Sequence, residues 1–149
     1  MTSEAVNDAT RKAWRDLGFF YDRDDETKEW KLVGSRSGLL RFRNLLLLYV
    51  TNPRSAENSE HDHYGPYMYL KVMTASQPGI DRGAIHGSVQ DLRRLADLIE
   101  TKLKNTGAGS VLRIQEEFAV NYEYSLLLDV RDEDFDPASA DPELSKSAG

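Results

Sequence analysis

Residues 30–40 read WKLVGSRSGLL, and the pattern of this stretch decides the predicted fold. An apolar run typical of a β-strand ends at a Gly-Ser pair, and an apolar helical pattern then continues to about residue 50. The same order returns at residues 84–88, which read AIHGS and precede a helical stripe from about 89 to 104. The chain therefore predicts two related strand–helix–strand units.

The two units can be superposed on their Gly-Ser pairs. Four pairs of apolar helix positions then coincide: Leu39 with Leu92, Phe42 with Leu95, Leu45 with Leu98, and Leu46 with Ile99. One interpretation is an internal structural duplication. The other is that any two amphipathic helices that begin with a capping serine after a strand look alike. The sequence leaves both interpretations open.

The flanking segments complete the predicted architecture. A helical stripe that includes Trp14 covers residues 4–17 and ends at Gly18. Two short aromatic runs at 19–21 and 30–33 predict a hairpin, and further strands are expected at 67–73, 84–86, 110–118 and 124–130. We therefore expect an α+β domain over residues 1–131. It would have one mixed sheet of about six strands, two helices on one face of that sheet, and an extra N-terminal helix.

The charge is concentrated at the end of the chain. The formal net charge is −6, and residues 131–149 hold six acidic and two basic side chains, a net of −4 that leaves −2 for the rest. With its low hydrophobicity and two prolines, the stretch 132–149 is predicted to be an acidic, disordered tail. The sequence has no block of lysine and arginine of the kind that binds a phosphate backbone, so nucleic-acid binding is not expected. Arg36, Arg41 and Arg43 would still allow a local basic patch.

The composition also bears on the compartment. The chain has no cysteine, its first residues are polar and acidic, and its longest apolar run covers only residues 45–50. Disulfides, thiolate chemistry and a membrane span are therefore not expected. We expect a cytoplasmic protein that needs no cofactor.

Three histidines are the candidate residues for metal or acid–base chemistry. His61 and His63 are two residues apart and would point the same way on an extended segment, and imidazole is a common ligand of zinc, copper and nickel. A third ligand would have to converge from His86, Asp62 or Asp81. His86 follows a strand and is also a candidate general base. The more common explanation for both positions is an ordinary polar loop and a hydrogen-bonded histidine, so no metal site is expected.

The leucine run at residues 45–48 is the least ordinary feature of the predicted helix that ends at about residue 50. Four consecutive leucines point in all directions around a helix, so one sheet face cannot cover them all. Leu40, Leu47 and Leu48 are therefore candidate interface residues, covered either by the N-terminal helix or by another chain. Because two-fold homodimers are the commonest oligomers, self-association is one expected outcome.

The order Gly34-Ser35-Arg36-Ser37-Gly38-Leu39-Leu40, an apolar helix, a loop with His61 and His63, and a strand resembles small bacterial immunity proteins of polymorphic toxin systems. More broadly, the chain resembles conserved bacterial proteins of unknown function. The resemblance to immunity proteins covers about residues 30–72. It implies a compact, acidic α+β protein that binds and blocks a toxin, and it assigns no residue a role.

Two functional hypotheses follow. The first is a non-enzymatic protein-binding module, of the immunity type or of another, that recognises a protein through a surface of the sheet or through the leucine-rich helix. The second is a small metal-dependent enzyme that uses His61, His63 and His86.

Overall fold

A computed structural model of the chain describes residues 4–120 and 123–147. It contains four helices: α1 (Glu4–Leu17), α2 (Arg36–Thr51), α3 (Val89–Lys104) and α4 (Pro142–Ser147). The eight strands of the described chain are β1 (Phe20–Asp24), β2 (Glu29–Ser35), β3 (His61–Tyr64), β4 (Leu70–Thr74), β5 (Gly79–Ile80), β6 (Ile85–Gly87), β7 (Val111–Ile114) and β8 (Ser125–Arg131). Short 3₁₀ turns cover Pro53–Ala56 and Pro137–Ala140.

The strands form two four-stranded mixed sheets, with the orders β1-β2-β8-β7 and β3-β4-β6-β5. In each sheet the two outer pairs are antiparallel hairpins and the central pair is parallel. The α+β class is therefore confirmed, but the single sheet of about six strands is wrong. Two edge strands were missed: β3 lies in the expected loop and reads HDHY, and β5 has only two residues. Neither carries the apolar alternation by which a strand is recognised in a sequence.

The two halves of the chain have the same order of elements: a hairpin, a 16-residue helix and a second hairpin. Each sheet combines one hairpin from each half, so exchanging the halves converts one sheet order into the other. Of the helix positions that coincide in the sequence, Leu39, Phe42 and Leu46 are buried, as are their counterparts Leu92, Leu95 and Ile99, whereas Leu45 and Leu98 are half-buried. A duplication as the origin of this symmetry stays a prediction.

The Gly-Ser pairs act as helix starts. The Ser35 hydroxyl accepts a hydrogen bond from the Gly38 amide, and Ser88 forms a reciprocal capping box with Asp91. Both serines thereby satisfy amides that the first turn of a helix leaves without partners. Helix α2 packs against β2 and β8 of the first sheet, α3 contacts β6 of the second, and the two helices pack on each other. This differs from two helices on one face of a single sheet.

Residues 132–147 differ from the expected disordered tail. Within them, Ala138, Asp141 and Leu144 are buried. The 3₁₀ turn at Pro137–Ala140 packs against α1, and Arg15 of α1 forms an ion pair of 2.9 Å with Asp136. Composition does not predict this docking, because it depends on a few buried groups in a largely polar segment.

No helix in the described part of the chain combines the length and the apolar character that a bilayer crossing requires.

Candidate functional site

An aromatic cleft of about 270 Å³ opens where the two sheets meet. We use the name aromatic cleft for this cavity, which α1, β1, β2, the segment before β4 and the start of α4 enclose. Six rings line it: Trp14, Phe20, Tyr21, Trp30, Tyr67 and Tyr69. The remaining lining residues are Asp22, Arg23, Asp141, Pro142 and Glu143. Large aromatic surface with a few polar groups is characteristic of binding sites in proteins.

Trp14 forms the floor of the aromatic cleft. Its side chain is fully buried, and its ring centroid lies 4.8 Å from that of Phe20, 5.1 Å from that of Tyr21 and 5.8 Å from that of Tyr67. The indole nitrogen donates a hydrogen bond of 2.9 Å to Asp141. The helical stripe of α1 thus brings one large ring to the junction of the sheets and holds it in a fixed orientation.

Asp141 fixes a second ring. Its Oδ2 atom also accepts a hydrogen bond of 2.5 Å from the Tyr67 hydroxyl, and its Oδ1 atom accepts the Glu143 amide. Burial, followed by the bond to Asp141, raises the pKa of Tyr67 above its ordinary value. Tyr67 therefore remains a hydrogen-bond donor across the physiological pH range.

The Tyr21 hydroxyl joins the two sheets across the aromatic cleft. It donates 2.6 Å to the Tyr64 carbonyl and accepts 3.1 Å from the Tyr69 amide. Gly65 allows this approach, because it has φ +85° and a Cβ there would lie 2.5 Å from the Tyr21 ring. Burial raises the pKa of Tyr21, so the hydroxyl keeps its donor role.

Residues 67–69 present the exposed part of the site. Met68 has φ +62°, a left-handed conformation that is uncommon for a residue with a long side chain. Met68 is 55% and Tyr69 66% exposed, while the Tyr67 and Tyr69 rings lie 5.9 Å apart. Strained residues of this kind often occur at ligand-binding segments. The sequence predicts a strand over residues 67–73, but β4 begins only at Leu70.

Arg23 supplies the positive charge beside these rings. Its guanidinium lies 5.6 Å from the ring centroid of Trp30 and pairs with Asp25 at 2.7 Å. The hydrogen bonds from Arg23, followed by one from Tyr124, hold the pKa of Asp25 below its ordinary value. Arg23 is therefore held in place by an ion pair and an aromatic face together.

The junction of the sheets differs on its other side. There β5 meets the chain that enters β8, and the Ile80 carbonyl accepts main-chain hydrogen bonds from Glu123 at 3.1 Å and Tyr124 at 2.8 Å. In the two-fold arrangement this contact corresponds to that between β1 and the segment before β4. Main-chain hydrogen bonds close the junction between β5 and the chain that enters β8. At the junction between β1 and the segment before β4, the Tyr21 hydroxyl spans the gap, and the aromatic cleft lies beside it.

The three histidines do not converge. His61 pairs with Met73, which in turn pairs with His86, so the strands that carry the two histidines are separated by β4. At the usual strand spacing they are about 10 Å apart. The His86 Nδ1 atom lies 3.0 Å from the Gln77 carbonyl, and Nε2 lies 3.3 Å from Asp81.

His61 and His63 do lie together on β3, with ring centroids 5.0 Å apart. Their Nδ1 atoms contact the carbonyl oxygens of Ser59 and Met68 at 2.9 and 3.0 Å. In the described residues, no group of three His, Asp or Glu side chains has the geometry of a metal site. The pair thus has no third ligand among the described residues.

The three candidate leucines have different environments. Leu40 and Leu47 are half-buried and pack against the hydrophobic core, whereas Leu48 is 68% exposed. Much of the leucine run is therefore covered within the chain, where α2 packs on α3, β2 and β8. Leu48 alone of these three keeps most of its surface available.

The possible basic patch on α2 makes contacts within the chain. Arg36 donates to the Thr106 carbonyl, Arg41 donates to the Asp16 carbonyl at 2.6 Å, and Arg43 pairs with Glu100 at 2.9 Å. These arginines join α2 to neighbouring segments.

No protein-family model matches the chain, and neither a curated protein nor a solved structure matches it.

Proposed function

We propose that this chain is a non-enzymatic protein-binding module that recognises its partner through the aromatic cleft. The observation that carries the proposal is the pair Met68 and Tyr69, exposed on a strained turn beside a cavity of buried rings. Tyrosine, tryptophan and arginine are the residue types most enriched at the energetic centres of protein interfaces. A rigid aromatic surface also costs little conformational entropy on binding.

On the basis of the resemblance to immunity proteins, the proposed role is that of an acidic bacterial protein of the cytoplasm that binds a toxin and blocks it. The lack of cysteine is compatible with a reducing compartment. The alternative of a metal-dependent enzyme has less support, because His61 and His86 are separated by β4. Self-association is the second possible use of the surface and would involve Leu48.

Site-specific photo-crosslinking tests the proposal. Benzoylphenylalanine would replace Tyr69, Leu48 or, as a control, Val111, which is also exposed at 58%. We expect irradiation of cells that produce the protein to give one discrete adduct with another protein from position 69 and none from position 111. Equal labelling at both positions, or no adduct at 69, would contradict the proposal. A self-adduct from position 48 alone would favour the homodimer instead.

A further inference from the structure

We propose that the aromatic cleft receives one cationic side chain, a lysine or an arginine, of the partner protein. This inference rests on the proposed function, because it assigns the chemistry of the partner group at the same site. The size of the cavity is the first argument. A volume of about 270 Å³ lies below the roughly 300–1,000 Å³ of small-molecule sites. Such a cavity suits a single long side chain better than a cofactor.

The charge of the lining residues is the second argument. Asp22, Asp141 and Glu143 provide three carboxylates, and Arg23 provides the one cation among the described residues that line the cavity. The formal charge of the lining is therefore −2. Asp22 is exposed, so its charge lies at the rim, where an entering group would meet it. A cation would be attracted to this cavity and an anion would be repelled.

The rings are the third argument. The face of an aromatic ring carries negative charge, and it binds ammonium and guanidinium groups within about 6 Å of its centroid. The protein already uses this contact, since Arg23 lies 5.6 Å from the centroid of Trp30 at one end of the aromatic cleft. Tyr67, which is half-buried, and Tyr69, which is exposed, offer further rings. The methylene stem of a lysine or arginine would pack between rings while its charged end meets the Asp22 carboxylate at the rim.

Preorganisation is the fourth argument. Asp141 holds Trp14 and Tyr67, and the Tyr21 hydroxyl holds the main chain of Tyr69. The Trp14 and Tyr67 rings therefore need little rearrangement when a side chain enters, which lowers the entropic cost of binding. The left-handed Met68 adds a conformational cost in the free protein that a binding role would explain.

The test uses the full chain labelled with ¹⁵N and follows the indole N–H signals of Trp14 and Trp30 by NMR. The probes are the N-acetyl N-methylamides of lysine, arginine and norleucine, the last of which has an apolar stem without the charge. We expect saturable shifts with the two cationic amides at millimolar concentration and much smaller shifts with norleucine. Asp22→Asn should weaken binding roughly threefold, whereas Glu26→Gln, outside the aromatic cleft, should change it little.

Equal shifts with norleucine amide, or an unchanged affinity in Asp22→Asn, would overturn the cationic assignment. Tighter binding of free choline than of either amide would overturn the assignment to a protein side chain. If the amides fail to bind while crosslinking at position 69 still captures a partner, this inference fails and the proposed function stands. If the amides bind but position 69 captures no protein, the cationic site stands and the proposed function fails.

Discussion

The Asp141 carboxylate connects the last segment of the chain to the aromatic cleft. It is 1% exposed, and it accepts hydrogen bonds from the Trp14 indole, the Tyr67 hydroxyl and the Glu143 amide. Hydrogen bonds to a charged acceptor contribute more than neutral ones, roughly 1.5–3 kcal/mol each. A single residue of a polar segment thus determines the orientation of two of the rings that line the site.

Replacing Asp141 with alanine tests this role at the scale of one residue. The variant would leave the buried indole N–H of Trp14 and the Tyr67 hydroxyl without their acceptor. We expect the free energy of unfolding, measured by urea denaturation, to fall by about 2–4 kcal/mol. The exposed Asp134→Ala is the matched control and should change stability by less than about 0.5 kcal/mol. Equal effects of the two variants would show that the Asp141 bonds contribute little.

At the scale of elements, the first turn of α2 and the end of α1 are fitted to each other. Gly18, with φ +96°, ends α1, and its carbonyl lies against Gly38 in the first turn of α2. A Cβ on Gly38 would fall far inside van der Waals contact with that carbonyl oxygen. Gly38, the second glycine of the GSRSG stretch, is therefore needed for the close packing of α2 on the chain that enters β1.

Gly38→Ala should therefore be strongly destabilising. Because the clash is with main chain, it cannot be relieved by rotating a side chain, and we expect a loss of about 2 kcal/mol or more. Gly107→Ala is the control, since a Cβ there meets nothing within 4 Å and its φ is not positive. Thermal or urea unfolding of the two variants would separate the effects. A Gly38→Ala protein as stable as Gly107→Ala would mean that α2 can move away from Gly18.

The sequence predicts the helices better than the strands, because the apolar pattern of each helix extends over many more residues than that of a short strand. The stripes of α1 and α3 cover several turns, and the structure has them at the predicted residues 4–17 and 89–104. Strand β5 has two residues and β3 is a polar edge strand, so neither gives a pattern to detect. The aromatic cleft is still harder to predict from the sequence. Its residues come from positions as distant as Trp14 and Asp141, and only the tertiary fold brings them together.

At the scale of the whole molecule, each sheet combines one hairpin from each half of the chain. Helix α1 and the segment that carries Asp141 cover one junction between the two sheets. Helix α1 comes from the beginning of the chain, and the segment that carries Asp141 comes from its end. They meet through the Trp14–Asp141 hydrogen bond and the Arg15–Asp136 ion pair. The acidic end of the chain is thus part of the wall of the candidate site.

Deleting residues 132–149 tests this closure of the molecule. Composition alone predicts a dispensable tail, because few of these residues are apolar. The structure predicts the opposite, since the deletion exposes surface that Ala138 and Leu144 cover and leaves the Trp14 indole N–H without Asp141. After allowing for the entropy of the released segment, we expect a loss of about 2 kcal/mol or more, or roughly 5–10 °C in Tm. A shorter deletion of residues 145–149, which retains Asp141 and Leu144, is the control and should cost much less. If both truncated proteins have the same Tm as the wild type, the end of the chain does not stabilise the fold, and Asp141 and Glu143 do not form a wall of the aromatic cleft.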